Sequence, residues 1–279
     1  VEDMNGDGFA DIVGFASSGV YVALNDGTGK FKPAKKWVSG FGTSNGWGYD
    51  HPRFLADVDG DGLVDVVGFA SSGVYVSFNT GSGLESGKNL LSSFGTRAGG
   101  WRTSVHPRHV LDINGDGRAD IVGFASSGVY VSISKGRTFD SPTKWISGFG
   151  SSSGGWSVQN HPRFLKDVNG DNLPDVVGFA SGGVYVALNT GHSFATASKW
   201  VSSFGYTAGG WRTQTHPRFV EDVNGDGLCD IVGFASSGVY VSLSTGKGFT
   251  SPTKWVSQYG SSTGGWSISH HPRYVVDVT

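Results

Sequence analysis

Asp112-Ile113-Asn114-Gly115-Asp116-Gly117-Arg118-Ala119-Asp120-Ile121-Val122-Gly123-Phe124-Ala125-Ser126-Ser127-Gly128-Val129-Tyr130-Val131 is one of five near-copies of a single block. Its acidic start recurs at Asp3, Asp57, Asp167 and Asp222, in steps of 54 and then 55 residues, and once more at Asp277. No unrepeated segment is left over, so residues 1–279 are expected to form one array whose fold is that of one repeat multiplied. Outward from the quoted block, His106 to Ile113 alternates apolar and polar residues and reads as a strand. After the acidic loop, Asp120 to Phe124 is a short apolar run of the kind buried on both faces. Ala125-Ser126-Ser127-Gly128 turns the chain into the β-branched return strand Val129 to Ile133, and Lys144 to Ser147 supplies a fourth, outer strand. Four strands per repeat predict an all-β fold, a five-bladed β-propeller of four-stranded antiparallel blades.

The C-terminal segment, His271 to Val278, repeats a first strand without the rest of its blade. It is expected to pair with the strands built from Asp11 to Phe41 and so close the ring, removing the free sheet edges that invite aggregation. A closed monomer is the expectation, with an open fragment of a larger ring or an assembly of several chains as the alternatives. The 46 glycines and 13% aromatic residues suit many short strands joined by tight turns. Cys229 stands alone, so no intramolecular disulfide supports the fold. A formal charge of −2 gives no support to nucleic-acid binding or attraction to an anionic membrane. No apolar run is long enough for a membrane helix, and no signal-peptide pattern is visible, which leaves the compartment open.

Of the 23 acidic residues, 16 lie in the five loops, and so dense a set of carboxylates calls for neutralisation. The pattern Asp-x-Asn/Asp-x-Asp-Gly-x-x-Asp offers oxygen ligands at positions 1, 3, 5 and 9, with the position-7 carbonyl completing the set. Calcium takes such hard, flexible oxygen shells. The candidate ligands are Asp3, Asn5, Asp7, the Phe9 carbonyl and Asp11 in the first loop, and Asp57, Asp59, Asp61, Leu63 and Asp65 in the second. The third offers Asp112, Asn114, Asp116, Arg118 and Asp120, the fourth Asp167, Asn169, Asp171, Leu173 and Asp175. The fifth offers Asp222, Asn224, Asp226, Leu228 and Asp230. In the fourth loop Asn172 replaces the position-6 glycine, a residue that tolerates the left-handed conformation. The closing aspartate at position 9 and the flanking strands exclude an EF-hand, and the absence of histidine or cysteine from the ligand positions argues for a structural ion. The competing reading is that these side chains only cap turns.

Each outer strand leads into Phe/Tyr-Gly, a small polar stretch, Gly-Trp and His-Pro-Arg. The five copies carry Trp47, His51 and Arg53; Trp101, His106 and Arg108; Trp156, His161 and Arg163; Trp211, His216 and Arg218; and Trp266, His271 and Arg273. In a four-stranded blade these connections share a face with the serine turns, represented by Ser17, Ser72, Ser127 and Ser237, opposite the acidic loops. A flat indole beside directional hydrogen-bonding groups suits a sugar ring, which has an apolar C–H face and a rim of hydroxyls. The competing reading packs the indole between blades and makes the arginine scaffold. The outer-strand Trp37, Trp145, Trp200 and Trp255 read as packing.

Three stretches together resemble one family: Asp-Ile-Val-Gly-Phe-x-x-x-Gly-Val-Tyr-Val, Gly-Gly-Trp-Arg, and His-Pro-Arg-Phe-x-x-Asp-Val. The chain is similar along its whole length to the mushroom lectins typified by that of Psathyrella velutina, whose calcium loops are related to the FG-GAP repeats of integrin α-subunits. The resemblance implies a non-enzymatic propeller that binds N-acetylglucosamine, and in some members sialylated glycans, in pockets between blades. That family has seven blades, whereas five repeats stand here, which suggests a shortened or engineered relative. The residue after the tryptophan varies (Gly48, Arg102, Ser157, Arg212, Ser267), so the pockets are not expected to be equal. Repeated weak sites on one face would gain avidity, making glycans the expected partner. An integrin-like protein-binding propeller is the alternative, but near-identical loops favour a small repeated ligand. No unrepeated acid, base or nucleophile stands out to support an enzyme.

Overall fold

Short runs of Val, Ile, Phe and Tyr punctuated by Gly and Ser produce nineteen strands among the described residues, 1–276, of the computed structural model. The first sheet contains β1 (Ile12–Ala16), β2 (Gly19–Ala23) and β3 (Lys35–Val38). The second contains β4 (Arg53–Ala56), β5 (Asp65–Ala70), β6 (Gly73–Ser77) and β7 (Lys88–Leu91), and the third β8 (Arg108–Leu111), β9 (Asp120–Ala125), β10 (Gly128–Ser132) and β11 (Thr143–Ile146). The fourth contains β12 (Arg163–Lys166), β13 (Asp175–Ala180), β14 (Gly183–Ala187) and β15 (Ser198–Val201). The fifth contains β16 (Arg218–Glu221), β17 (Asp230–Ala235), β18 (Gly238–Ser242) and β19 (Thr253–Val256). Within each sheet the strand order follows the chain, and neighbouring strands run antiparallel. The expected four-strand repeat is therefore present in four sheets, and the first has three strands.

The chain divides into two compact units, residues 1–125 with 129–144, and residues 126–128 with 145–279. In the first unit, Val67, Phe69, Val74 and Val76 of the second sheet pack with Phe94, Trp101 and Ile121 of the next repeat. In the second unit the same positions recur: Val177, Phe179, Val184 and Val186 pack with Phe204, Trp211 and Ile231. Alternation along each strand therefore feeds two inter-sheet cores, one on either face.

The segment expected to close the ring shows no strand among its described residues. Residues 271–276 carry no strand, and Val275 instead packs on Val232, Phe234 and Val241 of the fifth sheet. The sixth aspartate, Asp277, and Val278 lie outside the described residues. Among the described residues, no helix is long and apolar enough to cross a membrane.

Candidate functional site

Each connection from an outer strand enters the next repeat through a phenylalanine in the left-handed region. Phe41, Phe94, Phe149 and Phe204 all have φ of 59°, and Tyr259 has 62°. That conformation is costly for a residue with a Cβ. The arginine of His-Pro-Arg compensates. Arg53, Arg108, Arg163, Arg218 and Arg273 each donate through Nη1 to the carbonyl of that aromatic residue, at 2.8, 2.9, 2.7, 2.8 and 2.8 Å. Burial holds the guanidinium of Arg108, Arg163 and Arg218 down at about 10. Nη1 of each arginine is thus committed to bracing the bend. The bend they must hold turns the guanidinium inward.

The tryptophans are corrected in part. Trp47, Trp101, Trp156 and Trp211 are only 7–8% exposed, too little to offer a stacking face. Each indole fills the space over a strand glycine (Gly68, Gly123, Gly178 or Gly233), where an added Cβ would collide with the ring. Trp266 has the same neighbours in kind, lying 5.0 Å from Tyr259 and 5.5 Å from His271 between ring centroids, and is only half-buried.

Histidine is the side chain that the fold presents. In all five copies its Nδ1 accepts a backbone N–H from the residue after the tryptophan, at 3.1–3.2 Å (Gly48, Arg102, Ser157, Arg212 and Ser267). That bond assigns the proton of the neutral ring to Nε2. Nε2 of His51, His161 and His216 then faces Ser71, Ser181 and Ser236 at 3.3, 3.4 and 3.1 Å. Burial, then neighbouring arginines, lower the pKa of His161 and His216 and favour the neutral donor.

Three clefts gather these groups. One of about 600 Å³ is lined by Phe149, Gly154, Trp156, His161, Ser181 and Tyr185, among others. A second, about 580 Å³, holds Trp211, His216, Ser236, Ser237 and Tyr240, and a third, about 420 Å³, holds Phe41, Trp47, His51 and Tyr75. Of the serines expected there, Ser237 lines its cleft, while the Ser72 and Ser237 hydroxyls bond Tyr75 and Tyr240 at 3.1 Å. Ser17 acts through its carbonyl, which accepts the Ser44 N–H at 3.0 Å. Sequence reasoning missed the first serine of the later turns (Ser71, Ser181, Ser236) and the tyrosine of Gly-Val-Tyr-Val. The tyrosine was open to discovery, because it is the polar-tipped residue between two buried valines of the return strand.

In the acidic loops, turn capping is realised throughout. The position-1 carboxylate accepts N–H groups from positions 4 and 6, as in Asp3 with Gly6 and Gly8, and Asp167 with Gly170 and Asn172. The position-5 carboxylate accepts the position-7 N–H, as in Asp116 with Arg118 and Asp226 with Leu228. Asn172 has φ of 65°, the conformation expected of it. The position-9 residues Asp11, Asp65, Asp120, Asp175 and Asp230 are buried and turn both oxygens to backbone N–H groups. Asp175, for example, accepts from Val168 at 3.1 Å and from Asn189 at 2.7 Å. Burial pushes the carboxyls of Asp65, Asp120 and Asp175 up to about 7. Position 9 is thus first a lock between loop and return strand, which sequence spacing presented as a ligand.

The loops do not test equally against a cation. Where position 3 is asparagine, its amide donates to the position-5 carboxylate, at 2.9 Å from Asn5 to Asp7 and from Asn224 to Asp226. The second loop has aspartate there, and Asp57, Asp59 and Asp61 bring ligand oxygens within 4.8 Å of one another. Oδ1 of Asp59 is buried without a hydrogen-bond partner. Burial, then Asp61 and Asp57, raise the Asp59 pKa, against a weaker pull from Arg137. Three converging carboxylates with an orphaned oxygen fit a hard cation.

A family model described as an FG-GAP-like repeat matches residues 3–56. No curated protein matches the chain. Among solved structures, an Agrocybe aegerita lectin described for specific recognition of non-reducing terminal N-acetylglucosamine is 40% identical. That match has a TM-score of 0.95 and covers 99% of this chain and 70% of the other. The Photorhabdus luminescens Tc holotoxin pore is 21% identical over 86% of this chain and 10% of that one, with a TM-score of 0.55, a likeness of fold alone.

Proposed function

The chain belongs to the family of the Agrocybe aegerita lectin, and from that premise we propose that it is a non-enzymatic, multivalent lectin for glycans ending in N-acetylglucosamine, with sialylated ends as a second class. The observation that carries this reading is the recurrence of one cleft with the same polar groups. His161, Ser181 and Tyr185 in one cleft correspond to His216, Ser236 and Tyr240 in another. The Nε2–H donor, the serine hydroxyl and the tyrosine hydroxyl offer directional bonds to sugar hydroxyls or an acetamido carbonyl, and the Trp edge and glycines supply apolar contact. The narrower likeness to the Psathyrella velutina lectin, and a β-propeller arrangement of the sheets with sugar held between neighbouring blades, belong to the same proposal.

Calorimetric titration with N-acetylglucosamine tests it. Several equivalent sites with dissociation constants of about 1 mM are expected, near −4 kcal/mol each. Absence of both heat and competition by free sugar would overturn the lectin reading in favour of a protein-docking face. His161→Ala together with Ser181→Ala should remove one site from the count and leave the others. Acidification should weaken binding. A histidine whose folded pKa is lowered contributes fully above its ordinary value near 6.5 and loses that contribution as pH falls through the folded value. Protonating Nδ1 also breaks its bond to the Ser157 N–H. Titrations at falling pH should show weaker binding, and a flat profile would remove histidine from the contact set.

Calcium belongs to this proposal as a structural ion. The second loop would hold it through Asp57, Asp59, Asp61 and the Leu63 carbonyl, and the asparagine loops would bind more weakly. An ion at about 100 times its dissociation constant stabilises by about 2.7 kcal/mol. Calcium should therefore raise the unfolding midpoint reversibly to chelator, and Asp59→Asn should remove most of that rise. A midpoint indifferent to calcium in the unsubstituted chain would refute the ion site.

A further inference from the structure

The connections that follow the outer strands are near-copies, and two of their variable positions distinguish one of them. The residue after Phe/Tyr-Gly is Thr43, Thr96, Ser151, Tyr206 or Ser261, and the residue after the tryptophan is Gly48, Arg102, Ser157, Arg212 or Ser267. An aromatic residue and an arginine coincide once, at Tyr206 and Arg212. The copy with Arg102 has Thr96 and so lacks the ring.

The two side chains meet. The Arg212 guanidinium lies 4.8 Å from the Tyr206 ring centroid, and its Nη2 donates to the Tyr206 hydroxyl at 3.4 Å. The loop that carries them is pinned through its backbone. The Thr207 N–H donates to the Ser181 carbonyl at 2.9 Å, and the Gly210 N–H to the Tyr206 carbonyl at 3.1 Å. The Thr207 hydroxyl adds a bond of 2.8 Å to the same Ser181 carbonyl. A fixed loop thus holds out a ring that is 56% exposed. A phenol presented in this way loses little conformational entropy when a ligand stacks on it.

The pair stands on the rim of the His216 cleft. Gly209, Gly210 and Trp211 line that cleft, and the Arg212 N–H donates to His216 Nδ1 at 3.2 Å. Burial, then Arg218 and Arg212, lower the pKa of His216, so the Arg212 charge is felt inside the cleft. Arg212 makes no ion pair among the described residues. Glu221 and Asp230 oppose each other at the far end of β16 and β17, away from the end where Arg218 opposes Gly233. The guanidinium therefore keeps donors for a ligand.

Trp211 is too buried to offer a stacking face, and Tyr206 supplies one just outside the cleft. We propose that the His216 cleft, alone among the copies, carries an additional subsite for the second ring of a glycan with acetamido groups on successive sugars. The terminal sugar sits against His216, Ser236 and Tyr240, and the next lies on Tyr206 with Arg212 donating to its acetamido carbonyl. A sugar's C–H face stacks on a phenol ring, and a guanidinium, which only donates, calls for a strong acceptor. This subsite rests on the lectin reading and makes one cleft selective for an oligosaccharide over the free sugar.

Calorimetry with N-acetylglucosamine and with its disaccharide, N,N′-diacetylchitobiose, tests the inference. The monosaccharide should titrate the clefts as equivalent sites, whereas the disaccharide should reveal one site about tenfold tighter than the rest. Tyr206→Ser with Arg212→Ser should abolish the tight site and leave the monosaccharide heat unchanged. This variant places at both positions the residues of a sister copy, Ser151 and Ser157. It also keeps the backbone N–H that holds the histidine, as Ser157 does for His161 at 3.1 Å, so it is expected to fold. A disaccharide that titrates as a single class of sites, or a tight site that survives the double variant, would overturn the subsite. An equal loss of monosaccharide and disaccharide binding in the variant would overturn it too, by making the pair scaffold. Absence of heat with either sugar from the unsubstituted chain would sink the lectin reading and the subsite together, whereas monosaccharide heat without a tight disaccharide site sinks the subsite alone.

Discussion

Trp156→Ala should lower the unfolding free energy by about 3–5 kcal/mol, the cost of emptying a packed aromatic site. The indole is 7% exposed, lies 4.9 Å from the Phe149 ring at a 40° tilt, and is closed above by Gly178. Collapse cannot fill the vacancy, because the opposing strand offers no side chain there. Gly178→Ala should be destabilising for the opposite reason, by about 1–3 kcal/mol, since the new methyl meets both Trp156 and Phe149. The double variant should recover part of the loss, so the two effects will not add. Denaturant unfolding of the three variants measures this cycle. A single-variant loss below about 1 kcal/mol for Trp156→Ala would show that the ring is not packed as described.

Asp175→Ala should cost about 2–6 kcal/mol. It strands two N–H groups, from Val168 and Asn189, at about 1–3 kcal/mol each. Asp175→Asn should cost less, since one amide oxygen still accepts. The loss should be the same with and without chelator. A loss that appears only when calcium is present would make position 9 a ligand before it is a lock. Chemical denaturation in both buffers separates the two cases.

Repeat period, strand order and the two faces were all legible in the sequence, because alternation and turn residues are local signals. The site was legible by location more than by atom. Gly-Trp and His-Pro-Arg do stand at the clefts, yet the residues with the most distinctive chemistry, Trp156 and Arg163, are the ones turned inward. Nothing in the local pattern tells an exposed indole from one that closes over a glycine 22 residues later in the chain, since that pairing is made across the sheet. Likewise the inward turn of the arginine depends on the backbone of Phe149, whose positive φ no residue type announces. The His–Ser pairs, 20 residues apart, escaped for the same reason. In the acidic loops spacing alone favours a metal ligand at position 9, and only burial reveals the competing claim of two backbone donors.

Strands β5 and β13 read Asp-Val-Val-Gly-Phe-Ala without a difference, and β9 and β17 share Asp-Ile-Val-Gly-Phe-Ala. Side chains therefore give a folding strand no address, and β13 would find the edge of β6 as acceptable as that of β14. What directs it home is tether length. The turn Ser181-Gly182 holds β14 beside β13, while any rival must close a loop of many tens of residues. Cutting the chain at such a turn would leave the strand chemistry intact and remove the instruction about which copy to join, so a nicked protein should refold into mixed pairings.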